Sequence, residues 1–244
     1  MSRNLVAGVV LALAAIPSFA ADVKAMLKEA DNFRITAEAM VVDTQVQVMK
    51  AGQLDKERRY TVFVKPGRRS IVLFKSPAEI GQKMLMTGED FFLLMPGTGR
   101  PIRVTPQQKL LGDASTGDIA TMTWAEDYAG TVVGEETVEG KPCVRLHLEA
   151  TRAGVSYARI ELYVAKGTGE PVRADLYVAS EKLAKQAFFQ LDMLDGRRQV
   201  TVMRLVDQIQ TNRETLVRYV SRKPKALPDE YFNPMFLSRS EIRE

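Results

Sequence analysis

The feature that most limits the fold of this sequence is the regular recurrence of turn signals after residue 33. The turns that contain glycine or proline lie at Ala51-Gly52, Pro66-Gly67, Thr87-Gly88, Pro96-Gly97, Glu139-Gly140, Gly167 to Gly169 and Asp195-Gly196. The segments between them are rich in Val, Ile, Thr, Tyr and Phe, which favour strands. The Asp-Gly pair is a strong hairpin signal. The pattern predicts a mainly β chain with a few helices and about ten or eleven antiparallel strands.

Some of the predicted strands are apolar on one face only, whereas others are apolar on both. Segments 157–165 and 171–178 alternate apolar and polar residues, as half-buried strands do. The strands that are apolar on both faces are Tyr60–Val64, Ile71–Phe74, Met84–Met86, Phe91–Met95 and Phe188-Phe189. Antiparallel sheets usually bury one face and leave the other in water. These strands therefore predict either a sandwich core with packed helices or a sheet with one face lining a closed apolar cavity. The chain has eleven methionines, ten of them after Met1, and this favours the cavity because Met adapts to varied apolar ligands.

The first 20 residues have the pattern of a secretory signal peptide. Arg3 precedes an apolar run from Leu5 to Ile16, which is too short to span a bilayer. A proline ends the run, and Ser18-Phe19-Ala20 places small residues where a cleavage site requires them. We predict residues 1–20 as a signal peptide and residues 21–244 as a single domain, with a retained membrane anchor as the alternative. No cysteine stands directly after the predicted cleavage site, so no lipid anchor is expected.

Three segments depart from the strand pattern. Residues 21–33 predict a short amphipathic helix, because their apolar residues fall on one helical stripe. Residues 112–128 lack a period of two and predict short helical turns anchored by Trp124. Residues 227–232 predict a capped turn near the C-terminus.

The residues that commonly carry catalysis or bind metals are scarce. The chain has one histidine, His147, and one cysteine, Cys143, on the same predicted strand. They stand roughly 13 Å apart along it, too far for a Cys-His dyad. They cannot supply the usual zinc ligands, and no phosphate-binding loop is found. We expect no catalytic residue, no metal and no cofactor, and no enzyme unless unpatterned carboxylates converge. A single cysteine also excludes an internal disulfide, which suits a bacterial periplasm.

Positive charges occur in clusters at several predicted turns, although the whole chain is nearly balanced, with 34 Lys and Arg against 30 Asp and Glu. These clusters are either solvated turns or docking sites for anionic lipid head groups or an acidic partner. The docking candidates are Arg68, Arg69, Arg197 and Arg198. Nucleic acid is not an expected partner, because no nucleic-acid-binding module is recognisable.

The order of features between Val64 and Pro106 resembles the LolA-like family of outer-membrane lipoprotein-sorting proteins. In sequence these features are the Lys65-Pro66 turn, the apolar strand Met84–Met86 ending at Thr87-Gly88, the aromatic-rich strand Phe91–Met95, the Pro96 turn and the basic strand Arg100–Val104. Segments 123–130 (TWAEDYAG) and 227–239 (LPDEYFNPMFLSR) are similar to family segments too. The resemblance covers most of residues 22–240.

The resemblance implies an unclosed antiparallel β-barrel wrapped on short lid helices, with acyl chains held in an apolar cavity between them. The residues it suggests for the cavity are Phe63, Phe74, Leu85, Phe92, Leu94, Trp124, Phe189, Leu191 and Met203. Matching the aromatic strand of the family favours Phe92 and Leu94 as the inward pair. Family members often keep an arginine near the Lys/Arg-Pro turn that holds the lid shut, which here would be Arg68.

The expected function is that of a monomeric periplasmic carrier, which shields lipid or lipoprotein acyl chains during transfer toward the outer membrane. An inner-membrane transporter or exporter is the expected source of cargo, and an outer-membrane acceptor is its expected destination. One alternative is a periplasmic sensor that binds lipid or lipoprotein and regulates a membrane partner. Another is a hydrolase acting on lipid.

Overall fold

The computed structural model of this protein describes residues 19–35, 38–105, 114–119, 123–194, 196–239 and 242. Residues 1–18, which hold most of the predicted signal peptide, lie outside the described residues, so the predicted cleavage remains an expectation. Within the described ranges, no helix combines the length and the apolar character needed to cross a bilayer.

The chain folds mainly into strands. They are β1 (Met40–Lys50), β2 (Gln53–Lys65), β3 (Arg69–Phe74), β4 (Lys83–Thr87), β5 (Asp90–Leu94), β6 (Ile102–Val104), β7 (Tyr128–Val138), β8 (Lys141–Ala150), β9 (Arg159–Ala165), β10 (Pro171–Tyr177), β11 (Leu183–Leu194), β12 (Arg197–Asp207) and β13 (Arg213–Pro224). The helices are α1 (Phe19–Asn32), α2 (Thr116–Ile119), α3 (Trp124–Asp127) and α4 (Pro234–Arg239), with a 3₁₀ helix at Asp229–Phe232.

All thirteen strands belong to one antiparallel sheet, in the order β6-β5-β4-β3-β2-β1-β13-β12-β11-β10-β9-β8-β7. Consecutive strands pair with each other except β6 and β7, which form the two edges of the sheet as described, and β1 also pairs with β13. The predicted mainly β, unclosed antiparallel architecture is therefore confirmed.

The strand count exceeds the expected number because two hairpin turns carry no conventional signal. Turns 178–182 and 208–212 contain neither glycine nor proline. Glu181 and Asn212 adopt the left-handed backbone conformation there, with φ near 58° at both. Only a few per cent of non-glycine residues do so, and a count of turns based on glycine and proline misses them.

The sheet has an apolar layer on each face. On one side, which we call the helix face, Val62 and Val64 of β2 join a large buried cluster with α1. On the other side, which we call the C-terminal face, Phe63 packs with Phe232 and Leu237 of the C-terminal helices. Side chains of a strand alternate between faces, so a strand covered on both sides must be apolar throughout. This explains the uninterrupted apolar run in β5.

Helix α1 forms where the sequence predicts an amphipathic helix. Val23, Leu27 and Ala30 recur at helical spacing and are almost completely buried against the helix face. Helices α2 and α3 and the 3₁₀ helix also lie within the segments predicted to hold helical turns.

Candidate functional site

A small cavity lies on the helix face, near the end of α1. Its apolar walls come chiefly from β1 and β2, through Met40, Val42, Val62 and Val64. Its polar lining includes Arg34, Asp118, Tyr219 and Arg222, and its volume is about 20 Å³. A space of this size holds about one water molecule. An acyl chain therefore requires α1 or a neighbouring helix to move.

The nine residues suggested for a lipid cavity divide between the two faces of the sheet. Five belong to the helix-face cluster: Phe74, Trp124, Phe189, Leu191 and Met203. Four pack on the C-terminal face: Phe63, Leu85, Phe92 and Leu94. Opposite faces of one sheet cannot line one cavity, so the nine do not form a single site.

Phe92 and Leu94, the expected inward pair of β5, lie on the face of the sheet opposite α1. Both side chains pack with the C-terminal segment, whereas Leu93 between them joins the cluster that contains α1. The register pairs Leu93 with Met84 and Phe92 with Leu85, which keeps each pair on one face. The other parity of β5 therefore faces α1.

The end of α1 is fastened to its surroundings by a buried polar contact. Asp31 accepts hydrogen bonds from the backbone N–H groups of Trp124 at 3.1 Å and Ala125 at 2.9 Å. These groups begin α3 and have no partner within that helix. Arg34 lies 3.6 Å from the same carboxylate and stacks 4.3 Å from the centre of the Trp124 ring. A backbone hydrogen bond from Val200 N–H to the carbonyl of Phe33, at 2.8 Å, joins the residue after α1 to β12.

Burial raises the pKa of Asp31 to about 6, from an ordinary value of 3.8. Arg34 and the two backbone N–H groups lower the pKa but do not offset the loss of solvation, and Asp127 raises it slightly. The contact between α1 and α3 therefore contains a carboxyl that titrates in mildly acidic solution.

Arg68 is buried rather than available for docking, which corrects its assignment to a docking surface. Its side chain is 5% exposed and forms an ion pair of 2.9 Å with Asp127, at the end of α3. It also donates to the carbonyls of Gly88 and Gly154, each at 2.9 Å. Arg68 thus connects the β2–β3 turn to the β4–β5 turn, to the β8–β9 loop and to the residue before β7.

Comparison with known proteins identifies the family. A family model described as an uncharacterized protein matches residues 67–239. The crystal structure of a LolA superfamily protein from Nitrosomonas europaea is similar with a TM-score of 0.80 and 26% identity, over 87% of this chain and 98% of that one. This chain belongs to the LolA-like family.

Two further structures share the LolA-like fold. A DUF1329 family protein from Desulfovibrio piger has a TM-score of 0.71 and 24% identity, covering 88% of this chain and 98% of its own. A domain assigned to outer membrane lipoprotein sorting, from Vibrio parahaemolyticus, has a TM-score of 0.69 and 18% identity, over 87% and 98%. No curated protein matches the sequence.

The other docking candidates of this LolA-like chain differ in their surroundings. Arg69 is half-buried and pairs with Asp229 at 2.8 Å, which holds the 3₁₀ helix against the sheet. Arg198 is exposed and pairs with Glu170. Arg197 is exposed at the start of β12. A docking role for Arg197 and Arg198 remains a prediction.

The apolar walls of the cavity in this LolA-like fold were not among the predicted site residues. Met40 and Val42 belong to β1, where every second residue from Met40 to Val48 is buried. That alternation is visible in the sequence MVVDTQVQV as apolar residues or Thr separated mainly by polar ones. This alternation indicates a strand with one buried face. Whether that face meets α1 or the C-terminal segment depends on how α1 packs.

Proposed function

We propose that this protein is a periplasmic carrier of lipids or lipid-modified proteins, which shields acyl chains between the helix face and α1. The observation that carries the proposal is the cover of the helix face. An extensive apolar surface is closed there by α1 and two four-residue helices. Such a cover is separable from the sheet without breaking any of the pairing between strands.

The energetics favour a carrier of this kind. Burying one CH₂ group is worth about 0.8 kcal/mol, so a 16-carbon chain represents about 13 kcal/mol before the costs of opening and ordering. An acyl chain that replaced α1 on the helix face would recover apolar contacts that α1 gives up. The exchange therefore requires much less free energy than exposure of the helix face to water.

The proposal includes the direction of transfer and the partners. The carrier acts as a monomer without enzyme activity, receives cargo from an inner-membrane transporter or exporter and passes it to an outer-membrane acceptor. The predicted signal peptide and the LolA-like family support this placement. Loading is driven by the membrane partner, and release requires an acceptor with higher affinity.

The proposal is tested by native mass spectrometry of the protein isolated from the periplasm of its own organism, with identification of the bound molecules. We expect a fraction with the added mass of a lipid or acylated peptide, and transfer of that mass to acceptor vesicles. Protein that is lipid-free as isolated, and that takes up no fluorescent fatty acid after delipidation, would contradict a carrier. A stable stoichiometric complex with a membrane protein, without turnover of cargo, would instead indicate a sensor.

A further inference from the structure

Two arginines lie buried in the wall of the cavity on the helix face. Arg34 and Arg222 are 7% and 5% exposed, and both border the cavity. Arg222 donates to the side-chain oxygen of Gln199 at 2.9 Å and to the carbonyl of Val200 at 2.6 Å. Neither acceptor carries a charge.

The carboxylates near these arginines already have cationic partners. Asp31 lies 3.6 Å from Arg34. Asp118, which also borders the cavity, pairs with Lys185 at 3.1 Å and accepts a hydrogen bond from the Tyr157 hydroxyl. In the part of the chain that the structure describes, no carboxylate forms an ion pair with Arg222. Among the described residues, the surroundings of Arg34 and Arg222 therefore hold one positive charge more than the carboxylates there balance.

Burial of a charge without a counter-charge raises the free energy of the folded state. Burial lowers the pKa of the Arg222 guanidinium, and the nearby charge of Arg34 lowers it further, although Tyr219 opposes this. A planar guanidinium offers five N–H donors. Two of its contacts go to neutral protein oxygens, so donors remain for an anionic oxygen. Arginine binds carboxylate and phosphate particularly well, because its paired donors match their geometry.

Apart from these charged side chains, the cavity is lined mainly by apolar residues. Its apolar lining consists of Met40 and Val42 of β1, Val62 and Val64 of β2, and Ile35 and Ile119. This combination matches a molecule with one anionic end and one apolar end, and it is poorly suited to a free inorganic anion.

We propose that this cavity is the head-group end of the lipid site, and that its ligand is an anionic amphiphile. The carboxylate or phosphate contacts Arg222 and Arg34, and the acyl chain runs along the β1–β2 wall when α1 moves aside. This inference rests on the proposed carrier function and narrows its cargo from acyl chains in general to those with a negative head.

The first test compares two ligands of equal chain length on the delipidated wild-type protein. Laurate carries a carboxylate and 1-dodecanol does not. Trp124 is the single tryptophan of the chain and stacks with Arg34, so its fluorescence reports binding. We expect laurate to bind at least about tenfold more tightly than 1-dodecanol, since charge-assisted hydrogen bonds are roughly twice as strong as neutral ones. Inorganic phosphate alone should compete weakly.

The second test removes the charge. Arg222→Met should abolish the preference for laurate and leave the affinity for 1-dodecanol unchanged. The ratio of the two affinities is the readout, because loss of the hydrogen bonds to Gln199 and Val200 lowers the melting temperature whether or not Arg222 binds a ligand. A purely structural arginine would leave that ratio unchanged. Arg218→Met is the matched control, because Arg218 lies on the same strand, is exposed and contacts Gln47. It should change neither affinity. Arg222→Gln provides a second variant if the methionine variant does not fold.

The outcomes separate the two proposals. Equal binding of laurate and 1-dodecanol by the wild type would overturn the anionic head group and leave the carrier intact. Failure of both amphiphiles to bind would overturn the carrier and the inference together. Competition by inorganic phosphate as strong as that by laurate would show a free-anion site and overturn the amphiphile.

Discussion

Two adjacent arginines in the β2–β3 turn have different environments. Arg68 pairs with Asp127, and the two side chains are 5% and 3% exposed. Arg69 pairs with Asp229, whose side chain is 75% exposed. Water screens the second pair and not the first. The same residue type at neighbouring positions should therefore contribute very differently to stability.

Replacement of Arg68 by methionine should destabilise the protein by about 3 kcal/mol, because the buried Asp127 carboxylate then keeps only the more exposed Arg152, 3.5 Å away, as its counter-charge. Arg69→Met is the matched control in the same turn and should cost about 1 kcal/mol or less. Urea unfolding of the two variants beside the wild type gives both values. Equal losses would contradict the assignment of Arg68 as a buried connector.

A sequence does not distinguish these two arginines. The partners of Arg68 lie 59 and 86 residues further along the chain, at Asp127 and Gly154. Its burial therefore depends on how distant loops meet in the folded sheet. The basic pair was expected on the surface because most arginines are exposed.

Asp31 gives stability a specific pH dependence. Its pKa is about 6 in the folded protein and 3.8 in an unfolded chain. Between these values the folded state binds more protons than the unfolded state, so stability decreases as pH rises from about 4 to about 6 and is constant above that. The shift corresponds to about 3 kcal/mol, since one pKa unit is about 1.4 kcal/mol.

Comparison of the wild type with Asp31→Asn isolates this contribution, because other carboxylates titrate in both proteins. The difference in unfolding free energy, wild type minus variant, should fall by up to about 3 kcal/mol between pH 4 and pH 6.5. Urea unfolding at five pH values measures it. A difference that is independent of pH would show that Asp31 keeps an ordinary pKa.

At the level of single elements, β5 shows what the sequence could and could not specify. Its strand character and its double cover were predictable, because a short apolar run lies between two turn signals. Its parity was not. A strand with polar residues on one side, such as β1, identifies its own exposed face, whereas Phe91 to Leu94 carries no polar residue on either side. The face that meets α1 is decided by the register with β4 and by the position of the C-terminal segment.

The two faces of β5 can be separated with a matched pair of variants. Leu93 and Leu94 are equally buried, at 7% exposed each, on the helix face and the C-terminal face respectively. Leu93→Asn and Leu94→Asn should therefore lose similar amounts of stability, about 2–5 kcal/mol as for other large changes in a core. Only Leu93→Asn should weaken uptake of a fluorescent fatty acid, measured at a temperature where both variants are folded.

Leu94→Asn should instead loosen the C-terminal segment. Limited proteolysis should cut the Asp229–Arg239 region faster in this variant than in Leu93→Asn, because Leu94 packs in the cluster that holds this segment. If Leu94→Asn loses lipid uptake and Leu93→Asn retains it, the cavity lies on the C-terminal face and the proposed site is wrong.

At the scale of the whole molecule, the sheet and its cover are held by different interactions. The strands are joined by a continuous series of backbone pairings from β6 through β1 and β13 to β7. Helix α1 is held mainly by side chains, through Val23, Leu27 and Ala30 and the Asp31 contact. The open antiparallel sheet was predictable, since it follows from local turns and alternation. The volume of the cavity near the end of α1 was not predictable, because it depends on how closely separate segments pack on the sheet.

This difference predicts that α1 opens before the sheet unfolds. Local opening requires less free energy where fewer apolar contacts and backbone pairings are broken. Hydrogen exchange followed by mass spectrometry should therefore show that amides of α1 exchange through openings of lower free energy than those of β1 and β13, at the centre of the sheet. Saturating laurate should change the exchange of α1 and α3, the helices that cover the helix face.

The difference in hydrogen exchange between α1 and the sheet decides whether the cavity can become a lipid site. At about 20 Å³ the cavity holds a single water, so a carrier needs a state in which α1 has moved while the sheet persists. Asp31→Asn alters the contact that fastens α1 to α3 and should accelerate exchange in α1 with little effect in β13. The exposed Asp192→Asn change, on β11, is the control and should affect neither. If α1 amides exchange only with global unfolding, the helix and the sheet form one cooperative unit, and acyl chains cannot enter beneath α1.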